Sequence, residues 1–178
     1  ILGTLRELAE GVSAPLWLFG GVAVDFIVGR WTRPHGDIDM NALAEDRDSI
    51  GVDLRRLGYA SADQGWMTRW RQARTGREIE VVFLERDAAG EAVLVVEDGA
   101  PVGCPGRYHT VPGYLDPARW GELDGLRFRV SHPLGEWAAR VRASAIIPGR
   151  PPHPKLEHDR LLLETLIPES DRARILRE

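Results

Sequence analysis

The chain has 178 residues, a formal charge of −4 and a single cysteine, Cys104. That length suffices for one substantial core, and a lone cysteine excludes an internal disulfide or a thiolate zinc site built within the chain. The acidic balance, with no stretch that concentrates Arg free of acids, argues against a nucleic-acid partner read through a basic face and suits a cationic small molecule better.

A helix is expected first, followed by the short apolar run Leu16-Trp17-Leu18-Phe19, which suits a buried strand. Val22 to Val28, ended by Gly29, suits a short helix, so Gly20 and Gly21 fall at a strand-to-helix turn. Glycine there lets backbone approach a ligand, and the helix start offers free N–H groups and a positive dipole end, a corner that fits a phosphate chain. Asp37 and Asp39 are two apart, so on a strand both carboxylates leave one face while Ile38 and Met40 turn toward the core. Mg2+ favours carboxylates shared with substrate phosphates, which makes the turn and the pair a chemical unit. Thirteen aspartates in 178 residues yield about one Asp-x-Asp by chance. The second, Asp46-Arg47-Asp48, reads as N-cap and first-turn charge of a helix over 46 to 57.

Strands are expected near 67 to 73, 78 to 84 and 91 to 96, with Asp87-Ala88-Ala89-Gly90 as the hairpin turn joining the last two. Gly and Pro accumulate over 97 to 105, where the chain changes from strand-rich to helix-rich. Leu126 to Val130 suits a short strand, and His132-Pro133 opens a helix through Ser144. Pro148 to Pro154, with four prolines, reads as a rigid connector. Helical stretches then cover Leu156 to Leu166 and Pro168 to Arg177.

The run Trp17-Leu18-Phe19-Gly20-Gly21-Val22-Ala23-Val24-Asp25, then Gly29-Arg30, then Thr32-Arg33-Pro34-His35-Gly36-Asp37-Ile38-Asp39 resembles the antibiotic nucleotidyltransferases. It is most similar to the aminoglycoside 2''-nucleotidyltransferase type, with the lincosamide nucleotidyltransferases close behind, in the polymerase-beta-like superfamily. The resemblance is specific over residues 16 to 41 and looser beyond. It implies an α/β (α+β) fold: a nucleotidyltransferase palm with a small mixed sheet flanked by helices over 1–98, then a smaller, mainly helical acceptor-binding lobe over 99–178. It implies a Gly-Gly turn holding the triphosphate and three acids organising two Mg2+ ions. The third acid falls on the strand Arg77 to Leu84, where Glu80 stands at the family's position, although Asp is commoner there; Glu78 shares its face. The implied reaction is transfer of a nucleoside monophosphate, AMP from ATP, to a hydroxyl of an aminoglycoside or lincosamide, with release of pyrophosphate. Asp37, Asp39 and Glu80 would be catalytic and metal-binding.

Lys155 is the single lysine beside twenty-two arginines. A chain this biased toward Arg keeps one Lys either by accident or because a compact ammonium is wanted where a wide guanidinium does not fit; the resemblance favours the second, since the resembling enzymes carry a lysine at the start of the C-terminal lobe that reaches the phosphates. Arg33 and His35 flank the approach to the Asp strand and are candidates for the outgoing phosphates, against a plainly structural loop. The acids Glu97, Asp98, Asp116, Glu122, Asp124 and Glu136 are candidates for acceptor amines. Trp66, Trp70, Trp120 and Trp137 are candidates for stacking on a ring, core packing being the commoner role. His158 and Asp159 read as packing or capping residues, and the histidines show no zinc spacing.

No apolar run approaches the roughly 18 to 20 residues of a membrane span. With a lone cysteine and no signal-peptide pattern, the expectation is a cytoplasmic monomer or homodimer, although a chain starting at Ile1 leaves room for a trimmed leader. Two alternatives stand beside the antibiotic-modifying reading: a toxin-like nucleotidyltransferase acting on RNA or protein, and a catalytically silent relative that only binds nucleotide.

Overall fold

The computed structural model describes residues 1–63, 65–100, 103–143, 147 and 153–177. Helix α1 (Leu2–Gly11) buries Leu5 and Leu8. Strand β1 (Trp17–Phe19) runs without a loop into α2 (Gly20–Val28), whose end is set by Gly29 at φ 72°. Strand β2 (Ile38–Leu43) leads through a 3-10 turn (Ala44–Asp46) into α3 (Arg47–Arg56). Strands β3 (Tyr59–Asp63), β4 (Met67–Gln72) and β5 (Glu78–Arg86) follow, then β6 (Ala92–Val96) and β7 (Gly106–His109). The hairpin β8 (Trp120–Leu123) and β9 (Leu126–Arg129) precedes α4 (Pro133–Val141), α5 (Pro154–Glu164) and α6 (Glu169–Ile175).

The main sheet runs β1-β2-β5-β4-β3, and β6 with β7 extends the far end of β5. At its centre β2 and β5 pair in parallel, the register setting Asp39 opposite Glu80, while the other pairs are antiparallel. Strand alternation decides what each face carries. Ile38, Met40 and Ala42 of β2 and Ile79, Val81 and Phe83 of β5 enter one core with Leu5, Leu8, Ile50 and Leu54 of α1 and α3. Val82 and Leu84 of β5 enter a second core with Val24, Leu134, Trp137 and Leu163, beneath α4 and α5. A central strand buried on both faces reads as an unbroken apolar run, which is why Val81 to Leu84 do not alternate in polarity. The mixed sheet and flanking helices agree with the expected fold class.

Several expectations need adjustment. Asp46 precedes α3, but its side chain makes no cap bond; only its carbonyl accepts, from the Ser49 hydroxyl at 2.9 Å. β3, β7 and β8 were not foreseen: Tyr-Ala-Ser-Ala-Asp, Gly-Arg-Tyr-His and Trp-Gly-Glu-Leu are short edge segments weak in strand formers, formed by pairing rather than propensity. The last helices begin with Pro154 and Glu169 and end with Glu164 and Ile175, each end within two residues of expectation. Ser144, residues 101–102 of the expected changeover and residues 148–152 of the proline connector lie outside the described residues. Among the described residues no helix is long and apolar enough to cross a membrane.

Candidate nucleotide-binding cleft

Gly20 opens α2 directly from a strand, with φ 73°, a conformation that L side chains rarely adopt. Its open side is filled by the Asp39 carboxylate of the adjacent β2, and an added Cβ would overlap Oδ2. At Gly21 the space a Cβ would take holds Arg33 Nη2 and the His35 ring. The pair is therefore required by the side chains folded over the turn.

These residues wall one cleft of about 300 Å3, which Asp37, Lys155 and His153 also line. Seven of the residues expected at the site, Gly20, Gly21, Arg33, His35, Asp37, Asp39 and Lys155, thus meet in one place. Glu80 stands one strand over, opposite Asp39, where Arg69 of β4 holds it with Nε at 2.8 Å and Nη2 at 2.5 Å. Glu78 lies farther along, 3.9 Å from Arg71. None of the four candidate tryptophans lines the cleft: Trp70 and Trp137 are core, Trp66 packs against the second core, and Trp120 lies under Arg127 and Arg129.

Burial pushes the Asp39 carboxyl up to about 7, and the negative charges of Asp37, Glu80 and Glu136 add to the effect. Arg140 offsets the repulsion only in part, and hard oxygen donors in such a field suit a divalent cation. Among the described residues no group of three His, Cys, Asp or Glu stands ready to hold an ion unaided, and Glu80 is turned to Arg69. Two carboxylates with phosphate oxygens and water form an ordinary Mg2+ environment, so the donor set fits that ion.

The cations have defined partners. Arg33 donates to buried Asp159 through Nε at 3.1 Å and Nη2 at 2.9 Å, and Arg140 reaches the same carboxylate at 3.2 Å. Burial alone would raise the Asp159 carboxyl, but the Arg33 hydrogen bond and the Arg140 charge hold it below the ordinary value. His35 Nδ1 lies 3.0 Å from Arg33 Nη1, a nitrogen that can only donate, so Nε2 carries the proton given to Asp25 at 2.6 Å. Lys155 is different: exposed at the start of α5, with its backbone N–H bonded to the His153 ring, its ammonium has no acidic partner among the described residues.

Sequence reasoning missed Asp25, Glu136, Arg140 and Asp159. Asp25 carried a signal, an acid inside the apolar run Val22 to Val28, and it anchors Thr32 as well as His35. Glu136, expected among acids open to acceptor amines, is fully buried and bonds the Gly20 N–H at 2.9 Å. Asp159, read as packing or capping, instead ties α5 to Arg33. A larger hollow of about 470 Å3 between α4, α5 and α6 lacks this chemistry, since its Arg160, Glu164 and Arg172 pair with one another.

Known proteins match along this frame. A 2''-aminoglycoside nucleotidyltransferase of Escherichia coli is 34% identical over 58 residues, 33% of this chain and 33% of that protein, so the match spans a third of the relative's length. Two structures of the antibiotic-resistance factor ANT(2'')-Ia share the fold. One has TM-score 0.73 at 17% identity, covering 96% of this chain and 84% of that one; the other, with adenylyl-2''-tobramycin, has TM-score 0.68 at 20% identity, covering 97% and 91%. The lincosamide adenylyltransferase LnuA bound to lincomycin has TM-score 0.67 at 16% identity, covering 93% and 96%. The aminoglycoside-2''-adenylyltransferase family model matches residues 2–118, more than half of the chain and inclusive of the glycine turn, both aspartates and Glu80. On that match, and with the same fold around the cleft, the chain belongs to the aminoglycoside-2''-adenylyltransferase family.

Proposed function

We propose that this protein transfers a nucleoside monophosphate, AMP from ATP, to a hydroxyl of an aminoglycoside or lincosamide and releases pyrophosphate. The observation that carries the reading is Asp39, a partly buried carboxyl raised to about 7 beside exposed Asp37 and packed against a glycine turn at a helix start. Family membership and neighbours solved with an adenylylated aminoglycoside or a lincosamide support the choice of acceptor.

Asp37 and Asp39 are the residues to hold Mg2+, with Glu80 completing a second position. Mg2+ bound there would neutralise charge on the triphosphate and the leaving pyrophosphate. The Gly21 N–H and the first turn of α2 bind phosphate oxygens, and Lys155 offsets their charge from the facing helix. The acceptor oxygen attacks the α-phosphorus in line; a P–O bond forms, the bond to the bridging oxygen breaks, and its electron pair leaves with pyrophosphate. Glu80, released from Arg69, takes the hydroxyl proton. Residues 1–98 act as the palm and 99–178 as the lobe presenting the acceptor. The Arg69–Glu80 pair, with Glu where Asp is commoner, favours a silent nucleotide-binding relative as the second reading.

The test is pyrophosphate release with ATP, GTP, CTP or UTP and Mg2+ across aminoglycosides, lincosamides and a no-acceptor control. Drug-dependent release is expected. Nucleotide binding without release on any acceptor would overturn the reading in favour of the silent relative or a macromolecular acceptor.

A further inference from the structure

We infer that Glu136 is a positioning residue for this cleft, a buried carboxylate that fixes the Gly20–Gly21 turn from behind and, through Arg140 and Asp159, seats Arg33. The inference rests on the nucleotide reading of the cleft. Both oxygens of Glu136 are fully used. Oε1 accepts from the Tyr114 hydroxyl at 3.0 Å and the Ser131 hydroxyl at 2.5 Å; Oε2 accepts from the Gly20 N–H at 2.9 Å and Arg140 Nη1 at 2.8 Å. Burial pushes the Tyr114 hydroxyl well above its ordinary value, so it remains a donor.

A carboxylate with no exposed surface is tolerated only with such a set, and removing it alone would leave buried Arg140 and three further donors short of an acceptor. The set serves α4 through Arg140 and also reaches beyond that helix to the glycine turn. What an acceptor alone supplies is a hold on the Gly20 N–H, 116 positions away in sequence. With that N–H drawn back, Gly20 keeps its positive φ and Asp39 keeps its place against the Cα. The first amide of the turn left for a phosphate is then that of Gly21. The second arm runs from Arg140 to Asp159 and on to Arg33, whose guanidinium occupies the space made by the absent Gly21 Cβ. One carboxylate thereby sets both the turn and the guanidinium folded over it.

Two variants separate positioning from packing. Glu136→Met keeps volume and removes the acceptor. Glu136→Gln keeps an oxygen for Gly20 and Arg140 while the Ser131 and Tyr114 hydroxyls accept from the new amide. The Met variant, which takes an acceptor from buried Arg140, the Gly20 N–H and two buried hydroxyls, is expected to melt below the parent and, where folded, to bind a Mg2+-loaded non-hydrolysable ATP analogue at least about tenfold more weakly in calorimetry. The Gln variant should return to within about threefold of the parent. Parent-like affinity in Glu136→Met would overturn the inference. Should Glu136→Met not fold, amide spectra of the parent decide: the Gly20 N–H should be protected from solvent exchange and unmoved by the analogue, while that of Gly21 shifts. A fast-exchanging Gly20 amide would overturn the inference in the same way. A parent protein that binds no nucleotide refutes the functional reading, while Gly20 protection still tests the Glu136 contact separately.

Discussion

Asp39 shows how a site and a stability cost coincide in one side chain. Its folded-state carboxyl, raised to about 7, holds a proton that the unfolded chain releases near 3.8, so the folded state binds more protons between those values. Stability contributed here therefore falls as pH rises from about 4 to 7 and is level above. Asp39→Asn removes that slope: in urea titrations the variant should be about 2–4 kcal/mol more stable than the parent at pH 8 without divalent ions, and should gain nothing at pH 4. A parent-like slope in the variant would assign the loss to other groups. Gly21→Ala tests the neighbouring position, since its Cβ meets Arg33 and His35 rather than open space. It should lower stability by about 1–3 kcal/mol and weaken ATP-analogue binding, measured by thermal melting and calorimetry. That Gly20, Gly21, Asp37 and Asp39 gather at one cleft was legible because they lie within twenty residues and two strand-and-turn rules orient them. Glu136 and Asp159 were not, because the contacts that define them span 116 and 126 positions and leave no local pattern.

At the scale of elements, α5 is joined to the cleft by charge as well as by apolar contact. Asp159 takes Arg33 from the loop before β2 and Arg140 from α4, all three being largely buried. Asp159→Ala leaves two guanidiniums without their shared acceptor and should cost about 3–5 kcal/mol in denaturant unfolding. A loss below about 1 kcal/mol would mean that both find other partners. The strands show what sequence could carry: β5 and β6 follow from β-branched runs and the Asp87–Gly90 turn, whose Asp87 carboxylate accepts from Ala89 and Glu91. The β8–β9 hairpin was half seen. Its turn residues Asp124 and Gly125 have φ 49° and 71°, the two-residue conformation that Asp-Gly favours, so the signal existed but the glycine in Trp-Gly-Glu-Leu hid the partner strand. β3 had no comparable signal.

For the whole molecule, two apolar cores on opposite faces of one mixed sheet place the carboxylates of β2 and β5 on the side covered by α4 and α5. The glycine turn comes from one half of the chain and its brace from the other, so the cleft exists only in the folded whole. A Mg2+-loaded ATP analogue at a hundred times its Kd should stabilise the parent by about 2.7 kcal/mol and leave Asp39→Asn nearly unmoved, read as shifts in melting temperature. The measurement closest to the central claim is the mass of an aminoglycoside or lincosamide acceptor after incubation with ATP, Mg2+ and either the parent or Asp39→Asn. The expected result is an acceptor heavier by one AMP with the parent and unchanged with the variant. Equal adduct with both proteins, or an unmodified acceptor in the presence of a parent that binds ATP, would contradict nucleotidyl transfer at this pair of carboxylates.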